Sequence, residues 1–216
     1  MNGGRPTEEV SLQVQVENSG FVAIWSDVKA EEETDYLHWL TREHTQERLG
    51  VPGFRTVRVF RSLRTDVRRY FIYYELDNPE VLASDGYLAR LNAPTPWSQR
   101  IMPKLGNFAR GGGRVIAQVG FGRGGVVAAI RLEVGGASFD LPQLECVVSM
   151  DQIVGARLLE TDLTRTTIPT REKSMRTHDR SFSGLLLIEG LHEAAVSAAA
   201  SRHHAPDEVY AQIFEL

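Results

Sequence analysis

The sequence predicts an α+β fold: two tandem ferredoxin-like βαββαβ units whose antiparallel sheets pack into an α/β-barrel within one chain. Three observations predict it. Short β-branched and aromatic runs alternate with amphipathic helical stretches in the order β-α-β-β-α-β. The same order recurs, less clearly, in the second half. Between the halves lies one glycine-rich seam, "GFGRGG" at 120–125. A four-stranded sheet of this kind carries helices on one face only, and a second such sheet covers the other. The expected division is a loose polar segment at 1–17, a first unit at 18–119, the joint at 120–125 and a second unit at 126–216.

Each element has a local reason. "GFVAIWSDV" (20–28) is a β-branched and aromatic run, hence a strand. "AEEETDYLHWLTREHTQERLG" (30–50) has acids in its first turn, Arg48 in its last and Gly50 as a stop, hence one helix. "PGF" (52–54) turns the chain into a hairpin of "RTVRVFRSL" and "RRYFIYYEL". Asn78-Pro79 predicts a helix start for 78–92, and 94–110 reads as a second helical stretch broken by Pro103. "GRVIAQVGF" (113–121) closes the first half as a strand. In the second half, 125–134 reads as a strand, 140–150 as a short helix and 155–163 as a strand. A long polar stretch follows at 164–180, then a strand at 182–190, an alanine-rich helix at 191–204 and a last strand at 207–216.

Composition narrows the function. Of 216 residues, 42% are hydrophobic and 24% charged, the balance of a soluble globular protein. A formal charge of −4 gives no overall attraction to nucleic acid or to an anionic membrane. No apolar run is long enough for a membrane span, and the start shows no secretory signal, so a cytoplasmic location is expected. The one cysteine, Cys146, fits a reducing compartment and reads as a small buried hydrophobe. Arg55, Arg58, Arg61, Arg64, Arg68 and Arg69 cluster at mostly odd spacing. They are expected on a solvated hairpin, the alternative being an anion or partner surface. No nucleophile elbow, phosphate loop or HExxH is present, and the adjacent histidines of "RHH" (202–204) do not read as a metal site.

"GFGRGG" has the spacing of a dinucleotide fingerprint, Gly120, Gly122 and Gly125. That motif needs a helix behind it to hold the pyrophosphate. The valine-rich run that follows predicts a strand, so the glycines read as a joint and no cofactor is expected.

On the helix at 31–48, stepping about 100° per residue puts Tyr36, Leu37 and Leu40 on an inner stripe. His44 and Glu47 fall inside that stripe, Trp39 and Glu43 on one flank and Arg48 on the other. An imidazole and a carboxylate on a core-facing stripe either satisfy each other or line a cavity. A catalytic reading makes His44 the general acid/base, oriented by Glu47 or Glu43. Trp25, Asp27, Tyr36 and Trp97 are the candidates to shape a substrate pocket.

The stretches "YLHWLTREHTQERLGVPGF" (36–54) and "RYFIYYELDNPEVLASDGYLARLNAPTPWSQRIMP" (69–103) resemble the dimeric α/β-barrel superfamily, nearest bacterial proteins of its EthD-like branch. Glu43-His44, Glu47-Arg48 and Pro52-Gly53-Phe54 carry the resemblance, which covers about residues 20 to 118. It implies a pocket between the sheet and its helices for an apolar or aromatic small molecule. In some catalytic branches a first-helix histidine lies near that pocket, and His44 is the matching position. The superfamily includes cofactor-free monooxygenases, isomerases, polyketide cyclases, decarboxylases and haem-binding proteins, so function follows from the fold only by analogy.

The expectation is therefore a small-molecule-binding barrel, possessing cofactor-independent lyase, isomerase or oxygenase-like activity if it is an enzyme. One alternative is a non-catalytic binding or assembly module. Another is a haem-binding barrel with His44, His178 or His192 as axial ligand. Homo-oligomerisation is an open possibility.

Overall fold

The computed structural model describes residues 19–133 and 140–216, so the segment expected to be loose at 1–17 lies outside the described residues. The eight strands are β1 (Gly20–Asp27), β2 (Phe54–Ser62), β3 (Arg69–Leu76), β4 (Gly106–Val119), β5 (Val126–Leu132), β6 (Ile153–Thr161), β7 (Gly184–Gly190) and β8 (Val209–Glu215). They close into an antiparallel barrel in the order β1-β3-β2-β8-β5-β7-β6-β4, with β4 returning to β1. The first four strands run β4-β1-β3-β2 and the last four β8-β5-β7-β6, the same permutation in each half. Two seams, β2 with β8 and β4 with β6, join the halves.

The alternation of each strand separates two environments. Phe21, Ala23 and Trp25 of β1 point into the barrel and pack with Phe60, Phe71, Tyr73, Leu185, Leu187 and Tyr210. Val22 and Ile24 point outward, into a layer between the sheet and the helices of the first half. Tyr73 and Tyr74 divide the same way, one on each side of the sheet. The lumen is a packed aromatic core: Trp25 lies 4.7 Å from the Phe71 ring and 5.2 Å from that of Phe182. At Gly111 of β4 an added Cβ would sit 2.4 Å from the Phe182 ring, so only glycine lets that ring enter.

The helical segments differ from expectation in instructive ways. The stretch at 30–49, called α1 below, is continuous but not uniform. A 3-10 turn (Ala30–Glu32) leads into α-helix (Glu33–Trp39), then a π turn (Leu40–His44), then α-helix again (Thr45–Leu49). The expected helix at 78–92 splits into a 3-10 turn (Pro79–Ala83) and α2 (Asp85–Asn92). Ser84 is the true cap, accepting the Tyr87 N–H, and its extended backbone breaks the run. The second stretch gives α3 (Pro96–Ile101), capped by Thr95, and a 3-10 turn at Met102–Lys104. Its last residues belong to β4, which starts at Gly106, seven residues before the expected strand, and runs through Gly111, Gly112 and Gly113.

In the second half, α4 (Leu141–Val148) and α7 (Glu193–Arg202) cover the sheet. The polar stretch between β6 and β7 carries two short helices, α5 (Leu163–Thr166) and α6 (Arg171–Ser174). Two expectations fail here. Cys146 is exposed on α4, because the apolar side of that helix is supplied by Leu144 and Val147. Arg58 is not solvated: it is 2% exposed, and its guanidinium donates to Glu189 at 2.6 Å and to the Gly124 carbonyl at 2.5 Å.

Candidate functional site

The first half holds a narrow cleft, open at its mouth, between the outer face of its sheet and its helices. Ile24 and Ser26 of β1 and Ile72 of β3 form its floor; Tyr36, Trp39, His44 and Arg48 of α1 form one wall. Tyr87 and Leu91 of α2, with Met102, Leu105, Phe108 and Arg110 from the 3-10 turn into β4, form the other. The roof is Thr170, Glu172, Lys173 and Arg176, all from the polar stretch before β7. Ile24, in the middle of a central strand, is only half-buried, so the space reaches the sheet itself.

The π turn explains which α1 side chains face this space. In it the Thr45 N–H bonds to the Leu40 carbonyl, one residue further than in an α-helix. Every later residue is thereby set back by about 100° relative to uniform α spacing. Arg48 takes the inward place that uniform spacing gives Glu47. The buried set is accordingly Tyr36, Trp39, Leu40, His44, Thr45 and Arg48, with Glu47 only part-buried on the flank.

His44 is 4% exposed and its ring stacks on Trp39 with centroids 4.3 Å apart. Trp39 is fixed in turn by its indole N–H donating to the buried Ser98 hydroxyl at 3.1 Å. His44 Nδ1 is buried without a hydrogen-bond partner. Burial, and then the neighbouring charges of Arg48 and Arg176, hold its pKa well below the ordinary value of 6.5. It is a neutral imidazole at physiological pH.

The other sequence candidates disperse. Tyr36 lines the cleft, its hydroxyl 3.1 Å from that of Ser26. Glu43 accepts from the Thr95 hydroxyl at 2.6 Å, and Glu47 lies 3.6 Å from Arg90, so neither carboxylate is hydrogen-bonded to His44. Trp25 lies in the barrel lumen, on the opposite face of β1 from the cleft. Asp27 is committed to Arg69, at 2.7 and 3.1 Å, and to Asn107 at 2.7 Å. Trp97 packs outside the cleft and donates to Asp35 at 2.9 Å.

The residues that the sequence reading missed are basic. Arg48 forms a buried ion pair with Glu172, which ties α1 to α6. Arg176 lies 4.1 Å over the Phe108 ring and donates to Asp179 at 2.7 Å, while its Nε is buried without a partner. Arg110 donates to the Tyr87 hydroxyl at 2.9 Å and to the Thr166 carbonyl at 3.3 Å. Lys173 donates to that same carbonyl. Burial, then Arg110 and Arg176, push its amine down to about 8 against the pull of Asp179. One signal could have found this roof. A polar stretch of 17 residues between strands is longer than most structureless connections and marks a functional loop.

No family model matches the chain, and no curated protein matches it. Among solved structures, it superposes on an anthrone oxidase-like protein with a TM-score of 0.51 at 9% identity, covering 94% of this chain and 96% of that one. A provisionally assigned monooxygenase from Fusobacterium nucleatum subsp. nucleatum gives 0.50 at 11% identity, covering 93% and 95%. What is shared is the closed α/β-barrel fold. A provisionally assigned chlorite dismutase gives a TM-score of 0.49 at 13% identity over 91% and 95% of the two chains. The likenesses concern the fold and do not single out the EthD-like branch.

His178 and His192 are exposed, His192 serving as the N-cap of α7, and the His44 ring is stacked on Trp39. Among the described residues no group of three or more His, Cys, Asp or Glu is placed to hold a metal ion, and no helix is long and apolar enough to cross a membrane.

Proposed function

We propose that the chain is a cytoplasmic protein that binds a small apolar or aromatic molecule in this cleft and acts on it by cofactor-independent proton transfer, with His44 as base. The observation that carries this reading is a neutral imidazole, one nitrogen buried without a partner, in a cleft with an apolar and aromatic side beneath a charged roof. A base must be unprotonated at working pH, and burial keeps His44 so. The exposed, unpaired Cys146 supports a reducing compartment.

The chemistry suits a carbon acid, a ketone with a C–H adjacent to or conjugated with its carbonyl, which acidifies because the electrons can pass to oxygen. His44 takes the proton, the C–H electron pair moves to the carbonyl oxygen, and the resulting oxyanion lies among the cleft's cations. Return of the proton elsewhere is an isomerisation. Uptake of the electrons by dioxygen is an oxygenation.

One structural neighbour is an anthrone oxidase-like protein, which makes anthrone the first carbon acid to try. Under argon in D₂O, wild type should accelerate exchange of the anthrone C10 protons, followed by NMR. In air the balanced outcome is anthrone plus dioxygen to anthraquinone plus water. His44→Ala should slow exchange at least 100-fold, the lower range for a general base. Equal exchange in the two proteins contradicts the role of His44. No acceleration by wild type leaves the cleft as that of a non-catalytic binding module.

A further inference from the structure

From the arrangement of charge in the roof of the cleft, we infer that its ligand is an acid: a small apolar or aromatic carboxylate whose anionic group sits between Arg110 and Lys173. This rests on the cleft being a ligand site, as proposed above, and adds the chemical class of the ligand.

The inference comes from pairing. Four cations line the cleft, Arg48, Arg110, Lys173 and Arg176. Arg48 is neutralised by Glu172, and Arg176 by Asp179 at 2.7 Å. Among the described residues, Arg110 and Lys173 form no ion pair. Instead both point their charged ends at one neutral acceptor, the Thr166 carbonyl. Two like charges converging on a single carbonyl in a half-desolvated cleft are unfavourable unless an anion completes the arrangement. The Arg110 guanidinium is oriented by the Tyr87 hydroxyl at 2.9 Å, so the site is built and not a chance meeting of surface side chains. Arg110 itself is 6% exposed.

A second observation points the same way. Arg176, whose side chain is 3% exposed, keeps its Nε buried without a hydrogen-bond partner at the same end of the cleft. A carboxylate offers two oxygens and about four acceptor positions, enough for the Arg110 and Lys173 donors with capacity left for a third. The lining also includes an apolar set: Ile24, Ile72, Leu91 and the rings of Tyr36 and Trp39. A ligand matching both the cations and this apolar surface carries an acidic head on an aromatic or aliphatic body. Because the empty space is narrow, such a body enters with displacement of the half-buried Leu105 and Lys173.

The test compares 2-naphthoate with 2-naphthamide, which share size and shape and differ in charge. Isothermal titration calorimetry with wild type at pH 7 should give naphthoate at least tenfold tighter binding. In Lys173→Met and Arg110→Gln that preference should fall to near one, while naphthamide affinity stays within about threefold. Naphthamide also reports on folding, so a misfolded variant shows as loss of both ligands, in which case Lys173→Gln takes its place. Equal affinity of wild type for the two compounds overturns the acid specificity and leaves the cleft as a ligand site. A preference that survives in both variants overturns the roles of Arg110 and Lys173. Binding of neither compound overturns the cleft reading and this inference together.

Discussion

His44 holds its neutral form because it is buried and because the charges of Arg48 and Arg176 oppose a further cation beside them. Its neighbours are the Trp39 ring and the charges of Arg48 and Arg176, and its shift is downward. The sign for stability follows. A histidine depressed in the folded state takes up a proton in the unfolded chain first, so its contribution is complete above pH 6.5 and is lost as pH falls below it. The stability of wild type relative to His44→Gln should be flat above pH 6.5. Below it, the difference should fall by up to about 1.4 kcal/mol per pH unit, read by urea denaturation. Parallel curves across that range contradict a buried neutral His44. This residue was legible in the sequence because a polar group on an apolar stripe stands out. Arg110, Lys173 and Arg176 were not, because basic residues in a glycine run or a polar stretch look like solvated surface until the fold brings them over an apolar floor.

At the scale of elements, the π turn in α1 decides which charge enters the cleft. Uniform spacing cannot reveal it, since the sequence around Leu40–His44 contains neither proline nor glycine to mark an irregularity. Its consequence is the buried pair of Arg48 with Glu172, side chains 4% and 5% exposed, which fastens the polar stretch over the first half. Further ties are the backbone N–H of Arg171 donating to Asn92 at 3.1 Å and the Thr166 hydroxyl donating to the Gly112 carbonyl at 3.0 Å. Removing one member of a buried pair strands the other charge, so Arg48→Met or Glu172→Gln should each cost about 3–5 kcal/mol. The double variant should cost clearly less than the sum, by a double-mutant cycle in denaturant. Additive losses contradict the pairing. Helix α2 gives the same lesson more mildly: Asn78-Pro79 looked like its cap, but Ser84 is the residue whose side chain accepts the Tyr87 N–H.

At the scale of the whole molecule, element order was the most legible feature. Every strand expected from β-branched or aromatic runs is present, and the closed order repeats one permutation in both halves. At the joint between the halves, β5 follows Gly125 directly. The surprise is how tightly the joint is held. Glu189, buried in β7, accepts from the Gly124 N–H at 3.0 Å and pairs with both Arg58 and Arg157. An added Cβ at Gly124 would meet the Gly190 carbonyl at 2.2 Å. Less legible was the crossing of the halves: the second supplies the roof of a cleft whose floor and walls come from the first. The central claim is that this shared cleft is the ligand site. A crystal structure of the chain with 2-naphthamide tests it most directly. The account predicts the naphthalene rings between Ile24, Ile72 and Leu91, within contact of His44. A closed, ligand-free cleft with naphthamide bound elsewhere on the chain would contradict it.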